Sequence, residues 1–269
     1  MNFHNNEWIM NQVQEHYNEA LEYFPEDRIV CIILQGSQNY GLETMYSDVD
    51  TKLILTPTFE DIAMNRQPIS TTHIRADNSH TDWKDIRLML KTFRSCNLNF
   101  LEILFSPYCI VNPLYAEEWN RLIKNNEMIA NYNPRNAVKT MHGLAHRKYD
   151  QMEHDSPSHH NDIEKYGYSP KEFHHLLRIE EYIERYIYGE SYGDCLHSKK
   201  AEYLINVKIK PLSLDLARSI AKDAIAHIDK MYDDFAAIAN AEVDKDVDVL
   251  LDDVQYNIMK IAIKKEIGG

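Results

Sequence analysis

An apolar run from Ile29 to Leu34 breaks off at Gln35-Gly36-Ser37. After a mostly polar spacer the chain resumes with Ser47-Asp48-Val49-Asp50. No other stretch constrains the fold as much. An uninterrupted apolar run stopped by glycine reads as a buried β-strand. A Gly-Ser turn directly after a strand lets backbone N–H groups and a hydroxyl approach a phosphate closely. Asp48 and Asp50 bracket one apolar residue at the start of a second strand, Val49 to Leu55, and the strand period of two puts both carboxylates on one face. Hard oxygen donors beside a phosphate-cradling turn suit Mg2+ and a nucleoside triphosphate (NTP). A plain surface turn followed by a half-wet strand would also use Ser and Asp. The joint pattern is much rarer than its parts.

The order strand, Gly-Ser, spacer, Asp-x-Asp, strand resembles the signature of the DNA polymerase β-like nucleotidyltransferase superfamily. Further along, His80-Thr81-Asp82 precedes Asp85-Ile86-Arg87-Leu88-Met89-Leu90, and then comes Asn97-Leu98-Asn99-Phe100-Leu101-Glu102-Ile103-Leu104-Phe105. These segments resemble the RlaP-like predicted nucleotidyltransferases of phage and bacteria, named for a proposed place in RNA repair. The resemblance implies that Asp82 is the third carboxylate of the metal site. Asp85 is the rival, and its position suggests a cap for a helix running through Phe93. Glu102, also shared, has the plainer role of a buried hydrogen-bond acceptor.

A second stretch carries the resemblance to its end. Ser169-Pro170-Lys171-Glu172 reads as a helix start, with Ser169 as N-cap, Pro170 at the first helical position and Glu172 completing a capping box. At about 100° per residue, Lys171, His175, Arg178 and Tyr182 fall in one stripe, broadly opposite Phe173, Leu176, Leu177, Ile183 and Ile187. The stripe is expected to present cations near a helix N-terminus, an arrangement suited to a triphosphate; a solvated basic face is the plainer alternative. The family motif Gly-Tyr-Asp-x-Lys, then His, then Arg, reads here Gly167-Tyr168-Ser169-Pro170-Lys171, His175, Arg178. Ser169 departs from the family's Asp. Both residues cap helices well, so only a separate role for that carboxylate is in question.

Composition narrows the partners. The chain has 269 residues, enough for two modest domains, and a formal charge of −13. Such a charge excludes a globally basic nucleic-acid coat, so any RNA contact must be local. Lys139, His146, Arg147 and Lys148 form one local basic cluster. His142 and His146 lie at i, i+4, a spacing that can hold zinc, but no third ligand is evident in the sequence. The cysteines Cys31, Cys96, Cys109 and Cys195 form no CxxC and fit free thiols in a reducing cytoplasm. No run has the length of a membrane span, and the first residues have no signal-peptide pattern.

The expected architecture is α+β: a polymerase β-like mixed-sheet domain, residues 1–112, followed by an α-helical domain, residues 113–269, that closes the active cleft. Pro107 and Asn112-Pro113 mark the boundary. Helices are expected over 114–125, 134–152, 170–188, 198–208, 212–239 and 243–265. The implied activity is transfer of an NMP from an NTP to an acceptor hydroxyl, with an RNA end as the leading acceptor. A small molecule or protein hydroxyl, or a non-catalytic nucleotide-binding module, are the alternatives. Asp48, Asp50 and Asp82 would hold two Mg2+ ions, or Mn2+. Gly36, Ser37, Lys171, His175 and Arg178 would bind the nucleotide, in the cytoplasm of a bacterial or phage-infected cell.

Overall fold

The computed structural model describes residues 4–239 and 242–268. Five strands form one mixed sheet: β1 (Ile29–Gln35), β2 (Asp50–Leu55), β3 (Ser70–Ile74), β4 (His80–Asp85) and β5 (Cys109–Val111), in the order β3-β4-β2-β1-β5. β2 and β4 run parallel, and the other neighbours are antiparallel. β1 is buried along most of its length, as its apolar run requires.

Thirteen α-helices complete the described chain: α1 (Asn6–Tyr23), α2 (Phe59–Ala63), α3 (Ile86–Arg94), α4 (Leu98–Leu101), α5 (Ala116–Lys124), α6 (Asn126–Ala130), α7 (Pro134–Met152), α8 (His160–Tyr166), α9 (Pro170–Ile187), α10 (Tyr192–Leu196), α11 (Ala201–Ile209), α12 (Leu214–Ile238) and α13 (Lys245–Gly268). Their starts follow local chemistry. Asn5 caps α1, Thr58 and Asp61 form a capping box on α2, Asp85 caps α3 and Ser169 caps α9 ahead of Pro170. The short helices α6, α8 and α10 went unpredicted, because five to seven residues hold too little periodicity to register.

One face of the sheet packs on α1. Ile9, Val13, Tyr17 and Ala20 meet Ile29, Ile32, Leu34, Leu53 and Leu55 in a core sealed by Val49 and Tyr108. The structure divides into two compact units, Met1–Tyr132 with Val243–Gly269, and Asn133–Glu242. The expected boundary at 112/113 differs from this division at both ends. Prolines end the strands there, but α5 and α6 still carry apolar faces, through Trp119, Leu122 and Ile129, that are buried. The last helix also returns to the sheet unit. Val247, Leu251, Val254, Ile258 and Ala262 form its buried stripe, and Arg94 of α3 bonds Asp248 Oδ1 at 2.8 Å and Asp252 Oδ1 at 2.5 Å.

In the second unit α9 is the central helix, packed against α7, α10, α11 and α12. A helix surrounded on this scale buries more than one face, and buried residues lie all round α9.

Candidate nucleotidyl-transfer site

The site begins with a turn that only glycine makes easily. Gly36 has φ +93°, in the region that favours glycine, and open space where a Cβ would stand. Its conformation ends β1 and starts a 3₁₀ turn, Ser37–Asn39, in which the Asn39 N–H donates to the Gly36 carbonyl at 3.0 Å. The Gly36 N–H itself points to Glu102 Oε1, 3.3 Å away. Glu102 is buried and acts as the structural acceptor that its sequence context suggested. Asn39 ties the turn further, donating to the Leu34 carbonyl at 2.9 Å and accepting from Ser106 Oγ at 2.6 Å.

Gln38, a residue the sequence reading passed over, joins this turn to the acidic pair. Its side-chain amide donates to the Asp48 carbonyl at 2.7 Å and is itself buried. Asp48 is exposed, Val49 buried and Asp50 half-exposed, so burial alternates as a strand edge demands. The strand proper starts one residue later than expected, at Asp50. Asp50 Oδ1 accepts from the His80 backbone N–H at 2.8 Å and lies 3.3 Å from His80 Nδ1, which fixes the carboxylate against the start of β4.

Asp82 lies on β4, opposite Lys52 of β2. A two-residue offset between neighbouring strands separates the Cα atoms of Asp50 and Asp82 by about 8 Å. Asp82 Oδ2 pairs with Lys52 Nζ at 3.0 Å, and Oδ1 accepts from Thr72 Oγ1 at 2.6 Å. Burial pushes the Asp82 carboxyl up, but Lys52 and the Thr72 hydroxyl outweigh it, and the group sits below the ordinary carboxylate range. Lys52 is 2% exposed; its ammonium also donates to Gln35 Oε1 and lies 4.4 Å from the Phe100 ring centroid. Asp85, the rival carboxylate, caps α3 by accepting from the Arg87 N–H at 2.8 Å and pairs with the Arg87 guanidinium at 2.6 Å.

Behind these residues, on the α1 side, lies a buried polar network. Thr51 and Thr81 alternate with the site residues and hydrogen-bond each other at 3.1 Å. His16 Nδ1 lies 2.9 Å from Thr51 Oγ1 and 3.0 Å from Thr81 Oγ1. Burial, then the Arg75 charge, lower the His16 pKa to about 4, so the ring is neutral at physiological pH.

The stripe on α9 differs most from expectation. Lys171 is exposed, but Arg178 is 7% exposed and Tyr182 1%, with its hydroxyl donating to the Tyr192 carbonyl at 3.0 Å. Burial, and then the charges of its neighbours, including Lys148, Arg178 and Lys171, push His175 well below the ordinary imidazole value, so it carries no positive charge near neutrality. These residues do not form an exposed cationic row. The helical projection assumed one dry face, whereas α9 is enclosed by four neighbours. The basic cluster on α7 is likewise partly spent: Lys148 pairs with Glu172 at 2.7 Å and His146 with Asp229 at 2.6 Å. Lys139 and Arg135, with Asn133, Asn136 and Tyr232, line a cavity of about 290 Å³.

Asp48 and Asp50 are accessible hard-oxygen donors and fit a divalent cation of the Mg2+ class. Asp82 fits as a further donor once its carboxylate is shared with, or released by, Lys52. Among the described residues no helix is long and apolar enough to cross a membrane.

No curated protein matches the sequence. A crystal structure of a nucleotidyltransferase-like protein from Exiguobacterium sibiricum 255-15 aligns at 10% identity and a TM-score of 0.30, covering 84% of this chain and 75% of that one. A likeness that loose decides neither fold nor activity. The family model described as RlaP, RNA repair pathway DNA polymerase beta family, matches residues 7–180. That span holds the whole sheet, the Gly36-Ser37 turn, all three carboxylates and most of α9. The chain belongs to the RlaP family, and with it to the polymerase β-like nucleotidyltransferases, enzymes whose substrate is an NTP.

Proposed function

We propose that the protein transfers an NMP from an NTP to the hydroxyl of an RNA end, at a site made by Gly36, Ser37, Asp48, Asp50 and Asp82. The observation that carries this reading is the Gln38 side chain. By bonding the Asp48 carbonyl at 2.7 Å from within the Gly-Ser turn, it holds the turn and the acidic pair as one piece. RNA as acceptor is supported by the family's description as an RNA repair group.

In this reading the Gly36-Ser37 turn receives the β- and γ-phosphates. Asp48 and Asp50 would hold Mg2+, or Mn2+, with Asp82 as a further donor. Bound there, the ions would lower the acceptor's pKa and neutralise charge on the departing pyrophosphate. The acceptor oxygen forms a bond to the α-phosphorus as the bond to pyrophosphate breaks, and the hydroxyl proton passes to Asp82, which Lys52 keeps ionised. Arg135 and Lys139 are proposed to meet the RNA backbone, a local basic contact on an otherwise acidic chain.

The test is incubation with each α-labelled NTP, Mg2+ and a mixture of RNAs with defined ends, small alcohols and proteins. Label is expected on RNA. Asp50→Asn should lower transfer by at least about 10³-fold, as loss of a ligand to a catalytic metal costs several kcal/mol of transition-state stabilisation. Gln38→Ala should lower kcat with the fold intact. Near-normal transfer by Asp50→Asn would remove the site assignment, and label on a small alcohol or a protein would remove the RNA reading.

A further inference from the structure

We propose that His142, His146 and Asp229 form a transition-metal site, of Zn2+ class, that cross-links α7 to α12. Spacing on α7 supplies two ligands, because residues i and i+4 share a helix face. The structure adds the third from α12. His142 Nε2 and His146 Nε2 lie 2.8 and 2.6 Å from the same oxygen, Asp229 Oδ1. Among the described residues, these three ligand atoms are a set that lies within 4.8 Å of one another and could hold a metal ion.

Three features favour a metal over a simple pair of hydrogen bonds. Both imidazoles reach one carboxylate oxygen and leave the other aside, so three potential ligand atoms are gathered within 4.8 Å of one another. The His142 ring is stacked on Tyr232, 4.3 Å between centroids at 22°, which holds its Nε2 beside Asp229. The side chains of His142, His146 and Asp229 are 24%, 39% and 45% exposed, enough for an ion to enter and for water to take a fourth position. Ligands on a tetrahedral Zn2+ stand about 3.3 Å apart, so the two Nε2–Oδ1 separations must open by about 0.6 Å, a movement within reach of these side chains. Two imidazoles and one carboxylate select Zn2+ over Mg2+, which prefers an all-oxygen shell. This centre therefore differs in chemistry from the one at Asp48 and Asp50, and metal here does not depend on the transfer reaction.

The decisive experiment titrates the full-length chain with Zn2+ against a chromophoric chelator, in excess Mg2+, and repeats the titration with Co2+ to read its visible absorption. One sub-micromolar Zn2+ per chain is expected, with a Co2+ spectrum of low coordination number. His146→Ala should weaken binding by more than about 100-fold, beyond the 10–100-fold that outer-shell partners cost. Asp229→Asn, which keeps the side-chain shape, should abolish the Co2+ bands with unchanged circular dichroism. Zn2+ should raise the melting temperature of wild type and not that of Asp229→Asn. Asp50→Asn should bind Zn2+ as wild type does, which keeps the two centres apart. Absence of a one-to-one site, or undiminished binding in both His146→Ala and Asp229→Asn, would overturn the proposal.

Discussion

Lys52→Met tests the contact that the structure makes most of and the sequence least suggests. The substitution keeps an apolar stem near Phe100 and removes the ammonium. It deletes a 3.0 Å charge-assisted bond to Asp82 Oδ2 and leaves the Thr72 hydroxyl on Oδ1. Hydrogen bonds to charged groups contribute about 1.5–3 kcal/mol, and a fully buried carboxylate stripped of its partner costs about 3–5 kcal/mol. Asp82 is 21% exposed, so water recovers part of that loss. The expected penalty at pH 7 is about 2–3 kcal/mol. Its pH dependence has a definite sign. The folded Asp82 carboxyl lies below its ordinary value, so its contribution is present above the unfolded pKa of about 3.9 and is lost as pH falls through the folded value. The Lys52→Met penalty should therefore shrink below about pH 4. Urea unfolding of wild type, Lys52→Met, Asp82→Asn and the double variant gives the coupling directly, with about 1–2 kcal/mol expected. Additivity within about 0.3–0.5 kcal/mol at pH 7 would refute the reasoning.

Three further substitutions probe the two units. His16 falls from 6.5 to about 4 on folding, so its contribution to stability is full above the unfolded value and is lost as pH drops from about 6.5 through 4. His16→Gln should flatten that acid loss by up to about 3 kcal/mol, leaving the slope due to His174 and His175, and equal slopes in the two proteins would count against a buried neutral ring. Arg178→Ala should destabilise the protein by about 1–3 kcal/mol because the side chain is buried in the helical unit, whereas Lys171→Ala, at an exposed position, should stay within about ±0.5 kcal/mol. Melting curves separate these outcomes, and an unchanged melting temperature for Arg178→Ala would return the α9 stripe to the solvent.

What the sequence determined by itself is what a few neighbouring residues decide. The run Ile29–Leu34 had to be a buried strand, Gly36 had to end it, and Asp85, Thr58 and Ser169 had to cap helices, because propensity, periodicity and capping act within one or two turns of chain. The Asp-x-Asp pattern and the α9 motif were legible for the same reason, and so was membership of the family. Tertiary structure decided which side chains share a neighbour. Lys52 meets Asp82 only through the parallel register of β2 on β4, 30 residues apart in sequence. Asp229 meets His142 only because α12 packs on α7, across 87 residues. Arg178 is buried because four helices surround α9, and α13 joins the sheet unit because its apolar stripe and the Arg94 pairs hold it there. Helical projection tells which residues share a face of one helix; it carries no term for what lies against the opposite face. Burial, pairing and the ionisation that follows from them are set by those non-local contacts, and they decide which of the candidate groups can reach a substrate.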